Sequence, residues 1–146
     1  MRLARLALAI ALCASAATWA EQQPGVVPIA SVKQLHEAFI TPASDVLFQA
    51  ESVAPANAAA WRTLHNAALM LAEAANLLMI DGRAKDRGQW MAFARDMRNA
   101  AEAEIKAIAA ANLDALVAAN GQLVDACMAC HEPYRDGNRG MLSPKN

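Results

Sequence analysis

The chain has 146 residues, 56% of them hydrophobic and 18% charged, which suits one globular domain and excludes a disordered or fibrous protein. Its formal net charge is −1, and it carries no basic stripe and no aromatic platform, so nucleic acid is not an expected partner. No apolar run is long enough for a membrane span.

Arg2 and Arg5 border the apolar run Leu6 to Ala17, which ends in Thr18-Trp19-Ala20 before the polar Glu21. A basic start, a short apolar stretch and small residues at the boundary read as a secretory signal peptide over residues 1–20, cleaved on export to the periplasm. Cys13 leaves with it, and Leu12 stands where a bacterial lipoprotein carries a small residue, so lipidation is not expected. Cleavage removes two of the 13 basic side chains and none of the 14 acidic ones, for a net charge of −3.

Residues 21–30 hold Pro24 and Pro28 and read as an extended N-terminal arm. Ser31 is a candidate cap for a first helix over about 31–50, with Val32, Leu35, His36, Phe39 and Ile40 at helical spacing and a kink at Thr41-Pro42. Asn57 can cap a second helix with the seam Trp61, Leu64, Ala68, Leu71, Ala75 and Leu78, ending at Asp81-Gly82. The polar loop Gly82 to Gly88 leads to a third helix over about 88–110, carrying Trp90, Phe93, Met97, Ala101, Ile105 and Ile108. A short join near Asn112 leads to a fourth, with Leu113, Leu116, Leu123, Val124, Cys127, Cys130 and His131 on its seam and Pro133 to end or kink it. Alanine is frequent on these seams and lets helices approach closely. Four amphipathic helices with short joins and no strand pattern predict an all-α, antiparallel up-down-up-down four-helix bundle over residues 31–135, followed by a tail at 136–146.

The fourth helix carries Cys127-Met128-Ala129-Cys130-His131, the Cys-x-x-Cys-His signature of c-type haem attachment. Two thiols three residues apart lie on one side of a helical turn, where each can add to a vinyl group of one haem. The adjacent His131 is then the proximal iron ligand. With Cys13 gone, these are the only cysteines, which leaves haem attachment, one local disulfide or metal binding. A structural zinc site would need about four ligands, and a thioredoxin-like site a βαβ context that this sequence lacks. One covalent haem c is the expected cofactor.

In an antiparallel bundle the end of helix four neighbours residues near 36, 75–79 and 90–94. His36 is therefore the better candidate for the sixth iron ligand, with Met79 as its main competitor and a half-exposed histidine on the helix rim as the plain alternative. His65 falls roughly 15–20 Å away along the axis, at about 1.5 Å per residue, and is expected to be a packing or surface histidine. Phe39, Met79, Trp90 and Phe93 are candidates for the pocket wall. Arg83, Lys85 and Arg87 are candidates to pair with haem propionates or to be a solvated charge run.

These residues resemble the class II c-type cytochromes, the cytochrome c prime family of four-helix bundles. The likeness rests on the C-terminal motif followed by Tyr134-Arg135, on the four-helix layout, and more loosely on Trp61 to Leu78 and Pro42-x-x-Asp45. In that family the opposite axial ligand, when present, comes from early in helix one and is commonly Met. No Met stands there in this chain, so either His36 binds iron or Leu35 and Phe39 cover an open site. The first case implies an electron carrier with redox-protein partners. The second implies a five-coordinate protein binding NO or CO. An enzyme such as a peroxidase is not expected, since His36 would have to stay unligated to act as a polar distal group. Alanine-rich faces on helices one and two could support a homodimer, and suit a monomer equally.

Overall fold

A computed structural model describes residues 25–135. The expected signal peptide (1–20) and the expected tail (136–146) lie outside the described residues, as does the start of the arm. Within them the protein is all-helical, with four helices and no strand.

Helix α1 runs in three sections: α-helical Val32–Leu35, a π-helical turn His36–Ile40, and α-helical Thr41–Gln49. Ser31 opens it with a reciprocal capping box, its Oγ accepting from the Gln34 N–H at 3.2 Å while Gln34 Oε1 accepts from the Ser31 N–H at 2.9 Å. The disturbance expected at Thr41-Pro42 takes the form of the π turn just before it, where the Thr41 N–H reaches back to the His36 carbonyl. In a regular α-helix the Pro42 ring would collide with the carbonyl of Ala38, and the wider turn makes room for it.

The extra residue of a π turn rotates the helix on its N-terminal side by roughly 100° relative to the helix on its C-terminal side. Uninterrupted α periodicity from Ile40, Ala43 and Leu47 would put His36 on the core stripe. Leu35 takes that place instead, at 2% exposure, and His36 is half-buried beside it. Phe39, expected on the inward seam, is turned out and is 42% exposed.

Helix α2 spans Ala58–Leu78, with Asn57 Oδ1 accepting from the Ala60 N–H at 3.0 Å. It stops three residues short of the expected Asp81, and the chain turns through Gly82 at φ 81°. A side chain there would stand 3.2 Å from Pro28 of the arm. The next residue, Arg83, is buried and fixes the arm, donating from Nε and Nη2 to the Ala30 carbonyl at 3.1 and 2.9 Å and from Nη1 to the Leu77 carbonyl at 2.6 Å. All three of its hydrogen-bonding nitrogens are committed to backbone, so Arg83 is a structural tie and not a surface cation awaiting an anion. Arg87 pairs with Asp81.

Helix α3 spans Gln89–Ala109 and α4 spans Leu113–Tyr134. Between them the Asn112 N–H reaches the Ala107 carbonyl at 3.0 Å and the Ala111 N–H reaches Ile108 at 2.9 Å, the paired bonds of a Schellman motif. Ala111 holds its left-handed position, φ 48°, where glycine carries no steric penalty. Ala111→Gly is therefore expected to raise the unfolding free energy by about 1 kcal/mol, read as an increased urea midpoint at unchanged slope.

α3 packs along both α2 and α4, while α1 lies on α2 and touches α4 over a shorter stretch. Leu47, Leu71, Leu116 and Leu123 are fully buried, and Ala68, Ala75 and Ala101 bring the backbones close. On α4 the inward stripe is Leu116, Asn120, Leu123 and Cys127, and Val124, expected with them, is 42% exposed. No described helix is long and apolar enough to cross a membrane.

Candidate functional site

The last two turns of α4 carry Cys127, Cys130 and His131, and the π turn of α1 carries His36. The imidazoles of His36 and His131 face one another with ring centres 5.8 Å apart and planes at 41°. Metal–nitrogen bonds of about 2 Å on opposite sides of one ion would set two imidazole centres roughly 6 Å apart, so the two rings stand close to the spacing of a shared metal.

His36 Nδ1 lies 2.9 Å from the Val32 carbonyl. A carbonyl only accepts, so Nδ1 carries a proton, and in the neutral ring Nε2 is then the nitrogen with a lone pair for a ligand. A backbone bond of this kind fixes both tautomer and ring orientation in a metal-binding histidine. Burial, and then the neighbouring His36 and Arg135, push the His131 ring below the usual histidine range, which keeps it neutral and able to donate a lone pair.

Cys127 and Cys130 are half-buried and not bonded to one another. Burial pushes the Cys127 thiol up to about 11, with smaller contributions from Cys130 and Glu104. Burial also raises Cys130. Both side chains are therefore protonated thiols at neutral pH. Among the described residues no three His, Cys, Asp or Glu side chains gather as they would around an ion held by protein atoms alone. Two opposed imidazoles beside two thiols suit a planar group that brings its own equatorial donors.

The α2–α3 connection closes over this end. Trp90 is buried, its indole N–H donating to the Leu78 carbonyl at 2.8 Å, and its ring meets that of Tyr134 edge-on at 5.0 Å. Phe93 approaches the same tyrosine at 6.3 Å. The Tyr134 hydroxyl donates to Asp86, whose other oxygen accepts from the N–H groups of Gly88 at 2.8 Å and Trp90 at 3.2 Å. That hydroxyl bond holds the Asp86 carboxyl below its usual range and pushes the phenol up to about 12. One carboxylate thus caps α3 and anchors the last turn of α4, where Pro133 supplies no N–H. Met79 closes α2 and is partly buried against the core, and His65 sits half-buried on α2.

Two features escape a reading of the sequence. Asp86 gives no sign of reaching Tyr134, 48 residues on. The Val32 carbonyl is backbone and leaves no mark in the pattern. Glu104, by contrast, leaves a signal: it falls on the stripe Met97, Ala101, Glu104, Ile108 and is fully buried. No protein-family model, curated protein or solved structure matches this chain.

Proposed function

We propose that this protein is an exported mono-haem c-type cytochrome that carries electrons in the periplasm. In this reading Cys127 and Cys130 hold one haem through thioether bonds, with His131 as proximal and His36 as opposite iron ligand. The fold is read as an antiparallel up-down-up-down bundle of the cytochrome c prime kind. Two contacts between α1 and α4 support that topology: the Asn120 amide donates to the Leu47 carbonyl at 3.1 Å, and His131 lies against His36. Eleven residues forward on one helix correspond to eleven back on the other.

The observation that carries the reading is the pair of facing imidazoles next to the two thiols. The haem would supply a one-electron ferric–ferrous couple. The chain's own part is to hold two nitrogen donors in place. Val32 fixes the His36 ring, and the Asp86–Tyr134 bond holds the turn after His131. With both axial positions taken by imidazole, no site is left for a substrate, which favours a redox-protein partner over catalysis. Bis-histidine ligation also implies a lower potential than a His/Met pair.

The visible spectrum of the reduced protein tests this. Sharp low-spin bands unchanged by CO are expected. A high-spin spectrum that shifts with CO would replace electron transfer by gas binding.

A further inference from the structure

Glu104 stands apart from everything the electron-carrier reading uses. It is a carboxylic acid on the inner face of α3, fully buried, with neither oxygen within hydrogen-bond reach of a partner. An ionised carboxylate in such a place is costly unless paired. Burial alone pushes it up to about 8, with no Lys, Arg or His of α1, α2 or α4 contributing. The titratable group on which Glu104 bears is Cys127 of α4. Asn120 is a second buried polar side chain of α4, its Oδ1 without a partner and its amide spent on Leu47 and Glu51 of the α1 end. Once Cys127 is a thioether it no longer titrates, leaving Glu104 as the ionisable group beside the attachment point.

We infer that Glu104 is a redox-linked proton site, taking up one solvent proton as one electron from a redox partner arrives at the iron. The inference rests on the haem-binding reading. The exchange balances: the electron converts ferric to ferrous iron, lowering its charge by one, and the proton converts carboxylate to carboxylic acid. No other bond is made or broken. The physical cause is that a buried carboxylate is attracted by the more positive oxidised centre, so reduction raises its affinity for a proton. At an effective dielectric near 20, a unit charge about 10 Å away changes such an equilibrium on the order of tenfold.

The test is a redox titration of the haem-loaded protein between pH 6 and pH 10, alone and as Glu104→Gln and Glu104→Leu. In the wild type the ferric–ferrous equilibrium is expected to shift on the order of tenfold across this range, and in both variants to be flat. Infrared difference spectra of reduction should show a protonated-carboxyl C=O band that both variants lose. A pH dependence that survives in the variants, or a carboxyl band absent from the wild type, overturns the inference while leaving the haem reading intact. Failure of the chain to bind haem overturns both.

Discussion

In His36→Ala the reduced protein is expected to change from a low-spin spectrum indifferent to CO into a high-spin one that binds it. The side chain at stake is the imidazole of the π turn, held by Val32 at 2.9 Å and facing His131 at a ring separation of 5.8 Å. Removing it takes away one of the two nitrogen donors and nothing from the fully buried leucine core. The fold, and with it the proposed attachment at Cys127 and Cys130, should therefore survive. If the distal position is open in no more than about 1% of wild-type molecules, opening it in all of them raises apparent CO affinity on the order of a hundredfold. The measurement is a CO titration of both proteins by absorbance. Equal affinities and superimposable spectra would exclude His36 as a ligand.

Glu104→Leu is expected to abolish a loss of stability with rising pH. The native carboxyl lies at about 8, above its ordinary value of 4.5. A raised acid is stabilising in its protonated form. The favourable contribution is complete below pH 4.5 and is lost as pH rises through 8. In that window the loss is about 1.4 kcal/mol per pH unit, or roughly 4 kcal/mol between pH 5 and pH 8. Leucine has no charge to bury, so the variant should lack this decline and be the more stable protein at pH 8. Urea unfolding of both haem-loaded proteins at pH 5 and pH 8 reads the difference directly. Parallel pH dependences would mean that Glu104 keeps an ordinary carboxylate affinity for protons in the fold.

Much of the architecture is legible in the residues because the helices are built from local signals. Ser31 and Asn57 each accept from the N–H three residues on, as their side chains and positions predict, and Asn112, which the sequence marks only as a join, does the same for α4. Apolar spacing identifies Leu64, Leu71, Leu116 and Leu123 as core. Periodicity misjudges α1, because one inserted residue breaks the period. Helical spacing counts Phe39 and His36 inward with Val32, whereas the π turn gives the core position to Leu35 and sends Phe39 out. Pro42 marks the place but not the form of the disturbance.

The site divides in the same way. Cys127, Cys130 and His131 announce themselves by spacing alone. The surroundings depend on contacts between distant segments, which no single-sequence pattern encodes. Arg83 resembles a surface cation by type and loop position, yet it is buried against the carbonyls of Ala30 and Leu77. Trp90 is identifiable as an aromatic near this end, while its edge-on contact with Tyr134 depends on how α3 and α4 pack.

The most direct measurement is the mass of the protein, produced in cells that possess an export and a haem-attachment system and determined under denaturing conditions. The expected mass is that of the processed chain plus one haem, with the added mass lost in a Cys127→Ser, Cys130→Ser double variant. A wild-type chain carrying no added mass would contradict covalent haem attachment.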